Sequence, residues 1–239
     1  MAGNQGRFAA IAGRELLHAI RTIGREMKFA QGQQIKSADT LHPDGLILAI
    51  ESGFISTAAT APSRRRMLLS IHGPGDLAGD HVLFGNPHQA HGLVMTGMTK
   101  GSALSVHPGG FRQIVHDHPQ GWEIVARHQH DRAAADRERI WLMATETAGR
   151  RLAVFLLQLL SYNQPPKAHH GQPQWVPLQL SQAELAEWIG VSRETVARVL
   201  RGWVWRGVVE TGRRRLLVQD VPMLEKIAGE RWDDMSRAA

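Results

Sequence analysis

Arg193, Glu194 and Arg198 are three long polar side chains set within a stretch that otherwise keeps a helical apolar period through Val196, Val199 and Leu200. Each has a defined chemistry at a nucleic-acid surface. A guanidinium donates two bonds to the O6 and N7 of guanine, and a carboxylate accepts one from the N4 of cytosine. Grouped on the N-terminal half of one helix, these residue types suit the reading of base edges in a major groove. The plainer alternative is an amphipathic hairpin with a solvated charged face.

What precedes and follows them decides how they are held. Leu185, Ala186 and Ile189 continue the same period upstream, interrupted once at Gly190-Val191, where a helix should stop. Two short helices joined by a tight turn follow. Ser181 and Glu184 have the spacing of a capping box, and Ser192 stands where the second helix needs an N-cap. After Trp203-Val-Trp205, the run from Gly207 to Val218 places Gly212, Arg213, Arg214 and Arg215 between two short apolar segments, a hairpin with a basic tip. A helix-turn-helix followed by such a hairpin is a winged helix-turn-helix. Between Ser192 and Arg215 seven arginines oppose two glutamates, so most of the chain's formal net charge of +6 lies here, the footprint of contact with phosphates.

The 239 residues suffice for one large or two ordinary domains. Cysteine is absent, which excludes disulfides, thiolate catalysis and cysteine-ligated clusters. No signal peptide opens the chain, and no apolar run approaches the ~18 residues of a membrane span, so a cytoplasmic protein without a membrane partner is expected. There are 13 histidines, among them His81, His88, His91, His116, His118, His128 and His130. His128 and His130 are two apart on a helix and face different sides, a poor ligand pair, and no metal site is expected. No catalytic constellation is present.

In chain order, residues 1–24 contain one or two short helices around Phe8–Ile11 and Leu16–Ile20. From Met27 to Val106, short apolar runs at Ile35, Leu46–Ile50, Phe54-Ile55, Met67–Ile71, Leu93–Met95 and Ala103–Val106 alternate with Gly, Pro, Asp and Asn, the texture of a compact antiparallel roll. Arg64-Arg65-Arg66 reads as a solvated hairpin tip. Pro108-Gly-Gly110 reads as a break, followed by a short helix over Phe111–Ile114.

A long helix is predicted from about Pro119 to Glu146, with Arg132 and Asp136 spaced to pair. Trp122, Ala126, Ala133, Ile140 and Met143 share one face at heptad-like spacing, with Gln129 and Asp136 in the gaps. A dimer seam or a helix lying on its own roll both fit. Thr147-Ala-Gly149 reads as a hinge, Arg150–Tyr162 as an amphipathic helix, 163–177 as a loop and Val221–Ala228 as a closing helix. The expected fold is α+β: an N-terminal antiparallel β-roll over 1–118, a dimerisation helix over 119–146 and a C-terminal winged helix-turn-helix over 147–239.

That order of roll, long helix, hinge and winged helix-turn-helix resembles the Crp/Fnr family of bacterial transcription regulators over nearly the whole chain. The most specific part is Gly190-Val-Ser-Arg-Glu-Thr-Val-Ala-Arg198. The resemblance implies Arg193, Glu194 and Arg198 as base readers, and Ser181, Ser192 and Thr195 as phosphate contacts beside Arg213, Arg214 and Arg215 of the basic tip. It also implies a homodimer on palindromic double-stranded DNA, with RNA polymerase as a partner.

Gly75-Asp-Leu-Ala-Gly-Asp80 is similar to the family's cyclic-nucleotide phosphate cassette, which makes Gly75, Asp76, Gly79 and Asp80 candidate effector residues. The family's Arg-Ser pair falls at His91-Gly92, and its purine-contacting Thr-Ser pair at Ala135-Asp136. Losing that guanidinium forfeits a charge-assisted contact. The effector therefore stays unassigned: a cyclic nucleotide site and a plain tight turn both remain open. A reading from another class is a cupin-like metalloenzyme domain fused to a DNA-binding module, which requires histidines and a glutamate converging from different strands.

Overall fold

The computed structural model describes residues 7–35, 46–60, 66–84, 93–163 and 172–229. They fall into two compact units that divide inside one long helix, after Ala135.

The first unit opens with two helices, α1 (Phe8–Ile11) and α2 (Gly13–Ile23). Eight strands follow: β1 (Arg25–Phe29), β2 (Gln34–Ile35), β3 (Ile47–Ser52), β4 (Ile55–Thr60), β5 (Arg66–His72), β6 (Leu77–Ala78), β7 (Leu93–Gly97) and β8 (Gly101–Val106). They make two four-stranded antiparallel sheets, ordered β1-β8-β3-β6 and β2-β7-β4-β5. Phe29, Ile35, Leu48, Ile50, Ile55, Ala78, Met95 and Ala103 from both sheets form one buried cluster, the inside of the roll. Strand β1 carries little apolar signal, since Arg25, Glu26 and Lys28 are outside and Phe29 alone is buried. Backbone pairing from Arg25↔Ser105 to Phe29↔Gly101 holds it in the sheet. Of the expected basic tip, Arg64 and Arg65 lie outside the described residues, while Arg66 begins β5.

Helices α3 (Pro108–Asp117) and α4 (Gly121–Thr145) come next. Pro108-Gly-Gly110 is the first turn of α3 rather than a break, a correction with a clear cause. Proline fits the first helical position, where no amide bond is lost, and the His107 Nδ1 accepts from the Gly109 amide at 3.1 Å. Phe8, Leu16, Ile20, Phe111, Val115 and Val125 close a second buried cluster with Ile47, Leu77 and Val106 of the roll. On α4, Trp122 and Ile140 are 42% and 67% exposed, with Ala126 and Ala133 exposed as well. Met143 leaves that series: it is half-buried, and its methyl lies 2.8 Å from where a Cβ on Gly190 would stand. Arg132 bonds to Asp80 of the roll, a partner that its spacing from Asp136 does not predict.

The second unit holds α5 (Ala148–Leu160), β9 (Gln174–Trp175), α6 (Gln182–Ile189), α7 (Arg193–Trp205), β10 (Val209–Gly212), β11 (Arg215–Val218) and α8 (Val221–Gly229). Thr147 caps α5, its hydroxyl accepting from the Arg150 amide at 3.3 Å, so Ala148 and Gly149 are already helical. The interruption between α4 and α5 is confined to Glu146-Thr147. The apolar stripe of α5, Leu152, Phe155, Leu156 and Leu159, is buried, and α5 packs against α6, α7 and α8. The segment expected to be a loop contains β9, which pairs with β11 to make a three-stranded sheet in the order β10-β11-β9. Among the described residues no helix is long and apolar enough to cross a membrane.

Candidate nucleic-acid interface and effector region

Helix α6 starts where the sequence indicates. The Glu184 amide donates to the Ser181 hydroxyl at 3.2 Å and the Ser181 amide donates to the Glu184 carboxylate at 2.7 Å, a complete capping box. Gly190 ends the helix at φ 70, a left-handed position that costs an L side chain about 1 kcal/mol. Two residues on, the Ser192 hydroxyl takes the Thr195 amide at 3.2 Å and α7 begins. Val196, Leu200 and Trp203 bury one side of α7. On the other side Arg193, Glu194 and Arg198 are exposed.

Glu194 and Arg198 belong to a stripe that continues through Arg201 and Trp205, at spacings of four, three and four, all four residues exposed. Arg193, about 100° round from Glu194, flanks that stripe. Sequence reasoning did not assign Arg201 or Trp205, although their spacing from Arg198 was the signal that marks them. The Glu194 carboxyl is held below its ordinary range, first by its own backbone amide and then by Ser192, which keeps it an acceptor. The hydroxyls of Ser192 and Thr195 lie 3.1 Å apart, so one of them donates to the other. Ser181 donates its hydroxyl proton to Glu184 at 2.7 Å, which leaves it lone pairs rather than a proton to offer a phosphate.

The basic tip is a two-residue turn, Arg213-Arg214, between β10 and β11, with Arg214 at φ 58. Arg215 is already in β11, opposite Gly212. All three arginines are exposed. Arg214 also reaches the Glu184 carboxylate at 3.3 Å, which ties the wing to the start of α6. The C-terminal carbonyls of α6 are satisfied by cations, as the dipole of the helix favours. Arg139 donates to the Trp188 carbonyl at 3.1 Å, and Arg151 to that of Ile189 at 3.1 Å. The Trp188 ring is held between the Arg139 guanidinium, 3.9 Å from its centroid, and Phe155, stacked at 4.8 Å. Arg150 and Glu146 form a buried pair at 2.8 Å, and Arg150 donates to the Ala228 carbonyl at 2.9 Å. Helix α6 is thus clamped to α5 and the end of α4 through directed bonds.

In the roll, Gly75 and Asp76 belong to a tight turn: the Asp76 carboxylate accepts from the Gly73 amide at 2.8 Å, and backbone bonds join Gly75 and Asp76 to Ile50. Gly79, at φ 79, caps a 3-10 turn over Asp80–Leu83, and a Cβ on it would stand 2.2 Å from the Leu46 carbonyl oxygen. Asp80 is buried at 2% exposure. One of its oxygens accepts from Arg132, the other from Gln129 at 2.6 Å, with the His128 Nε2 at 3.4 Å from the latter. Burial alone pushes this carboxyl up, but the bond with His128 and the Arg132 charge outweigh it and hold it well below the carboxylate range. His72 completes the group. Its Nε2 lies 2.8 Å from the Ser70 hydroxyl and 3.3 Å from that of Thr57, and burial, with Arg132 adding to it, lowers its pKa to about 3.

Ala135 and Asp136 are exposed on α4, and His91 and Gly92 lie outside the described residues. Among the described residues no three histidine, aspartate or glutamate side chains converge as a metal-binding group.

The model of the Crp-like helix-turn-helix domain matches residues 150–227. Over 187 residues, 78% of this chain and 81% of the relative, the sequence is 28% identical to the CRP-like cAMP-activated global transcriptional regulator of Mycobacterium tuberculosis. It is 29% identical over 180 residues to the cyclic AMP receptor protein of Thermus thermophilus, covering 75% of this chain and 77% of that one. Among solved structures, FixK2 from Bradyrhizobium japonicum superimposes with a TM-score of 0.67 at 20% identity, over 86% of this chain and 97% of that one. A CRP/FNR-family transcriptional regulator from Thermus thermophilus does so with 0.66 at 22%, over 85% and 98%. Residues 150–227 thus carry a Crp-like helix-turn-helix, and the chain is similar to Crp/Fnr transcription regulators over about four fifths of its length.

It is accordingly a DNA-binding transcriptional regulator whose first unit has the family's cyclic-nucleotide-binding fold. That likeness also removes the reason to read the roll as a metalloenzyme domain, because the same order of elements recurs in transcription regulators. The residues of this Crp/Fnr-like roll fit a cyclic nucleotide poorly. Asp80, which the resemblance assigns to a ribose hydroxyl, already accepts from two α4 side chains, and Ala135 and Asp136, which it assigns to a purine, offer no hydroxyl.

Proposed function

We propose that this regulator binds a palindromic duplex as a homodimer, through the exposed seam of α4, with Arg193, Glu194 and Arg198 reading base edges. Ser192, Thr195, Arg213, Arg214 and Arg215 contact phosphates, and Ser181 contributes mainly by starting α6. The observation that carries the reading is the exposure of Glu194 and Arg198 on a helix whose opposite side, Val196, Leu200 and Trp203, is buried. Residues 1–118 serve as the sensor, 119–146 as the dimerisation helix and 147–239 as the DNA-binding domain, with RNA polymerase as a partner once bound. Trp122, Ala126, Ala133 and Ile140 supply an apolar, small-residue face suited to a second copy of α4. Two reader helices about 34 Å apart then meet successive major grooves.

Although two relatives are named for cyclic AMP, we infer that this chain reads DNA without it. Asp80 is committed to Gln129 and Arg132, so α4 is fastened to the roll by the protein's own side chains. The test is a titration of the purified protein against a duplex with TGTGA and TCACA around a short spacer, beside a scrambled duplex, with and without cyclic AMP. Preference for the palindrome without nucleotide supports the reading. Preference that appears only with nucleotide overturns its effector part, and no preference in either case overturns the assignment of the readers.

A further inference from the structure

Trp205 is 88% exposed, more than any other large apolar side chain among the described residues. The fold does not use it, and its position supplies a use. It is the last member of the stripe Glu194, Arg198, Arg201, Trp205 on α7. We propose that Trp205 is a DNA-backbone contact at the edge of the major groove, its indole N–H donating to a phosphate oxygen and its ring resting on the adjoining deoxyribose. This rests on α7 being the reader.

The geometry follows from lengths. At 1.5 Å per residue, the stripe from Glu194 to Trp205 runs about 16 Å, whereas the major groove is about 12 Å wide. With the N-terminal half of the helix on the base edges, the far end must meet the sugar-phosphate wall. The helix terminus itself is a poor phosphate ligand there, because its last carbonyls are acceptors and carry the negative end of the dipole. Arg206 is turned back, its Nε donating to the Gly202 carbonyl at 3.2 Å. The Trp205 indole is donor only and joins an apolar body to a polar tip, which matches a deoxyribose with a phosphate beside it. Being neutral, it releases no counterion, so its contribution does not depend on salt, unlike that of Arg201 one turn before it.

The experiment titrates the full chain against a fluorescent duplex bearing the palindrome with long flanks, and against a scrambled duplex of the same length, at several salt concentrations. Trp205→Ala is expected to weaken both by a similar factor, about fivefold to tenfold, with the slope of log K against log salt unchanged. Trp205→Phe should recover part of the loss. Ethylation interference should disappear at one phosphate per half-site in Trp205→Ala. Binding equal to that of the unaltered protein, a changed slope, or a changed preference between the two duplexes overturns the contact. So does unchanged DNA binding with lost transcriptional output, which would make Trp205 a protein contact. Arg198→Ala keeps the two ideas apart: its loss of preference beside an unaffected Trp205→Ala overturns this contact alone. If Arg198→Ala leaves the preference intact, the reader assignment beneath it falls.

Discussion

The Asp80 carboxylate, at the start of the turn after β6, accepts a hydrogen bond from the Arg132 guanidinium of α4, with Asp80 2% and the Arg132 side chain 33% exposed. A short acid in the roll and a long base on the helix thereby share charge where water reaches only one of them. Removing one partner of such a pair leaves the other poorly solvated, the costly half of the asymmetry in buried ion pairs. Asp80→Asn should lower the unfolding free energy by about 2–4 kcal/mol in urea, the lower end reflecting the solvent at Arg132. In a double-mutant cycle with Arg132→Met, the second change should cost much less than the first. Strict additivity would show that the two are not coupled.

Acid should loosen the roll well before carboxylates titrate. Burial lowers the His72 pKa to about 3 from 6.5, so the folded protein keeps it neutral while the unfolded chain takes up a proton below about pH 6.5. The contribution is whole above that pH and is lost as pH falls toward 3, reaching about 2 kcal/mol by pH 5. Asp80, whose carboxyl is lowered, acts further down, since its contribution is lost only below about pH 4. Urea unfolding at pH 7 and pH 5 should show a loss that His72→Gln reduces by about that amount. An equal loss in both proteins would assign the dependence to another group.

Two glycines with similar φ should respond differently to alanine. At Gly79 a Cβ meets the Leu46 carbonyl oxygen at 2.2 Å, a backbone atom that cannot step aside, so Gly79→Ala should cost more than about 2 kcal/mol. At Gly190 the obstacle is the mobile end of Met143 at 2.8 Å, and Gly190→Ala should cost only about 1 kcal/mol. Chemical denaturation of both variants checks the order.

Base readers and phosphate contacts separate by salt. Arg198→Ala should lose about 1–3 kcal/mol of discrimination at one base pair. Arg213→Ala should weaken all sequences alike and reduce the salt slope by about 0.9 per half-site, about 1.8 for the dimer. Arg214→Ala should show the same salt effect with an added loss of stability, because Arg214 also reaches Glu184 at 3.3 Å. Anisotropy titrations across salt concentrations, on cognate and scrambled duplexes, distinguish the three.

The helix-turn-helix was legible because its signals are local. A capping box at Ser181 and Glu184, a glycine at 190 and a serine cap at 192 each act within four residues, and the structure carries all of them. Strands β3, β4, β5, β7 and β8 were legible for the same reason, as short apolar runs set off by turn residues. Strand β1 was less so, because a strand can be held by backbone pairing with few apolar side chains, and β9 was missed because two residues carry no period. Pro108 misled because proline both stops helices and starts them, and only the His107 cap distinguishes the two.

The sequence by itself determined the succession of roll, long helix and helix-turn-helix, the family resemblance and the polar residue types on α7, since these depend on residue types at short spacing. Tertiary structure alone decided what Asp80 does, by bringing Gln129 and Arg132 to it from some fifty positions along the chain. It likewise put Met143 beside Gly190 and left Trp205 outside. Which partner a charged side chain finds, and which apolar one finds none, depends on desolvation and distance between remote segments, and those exist only once the chain has folded.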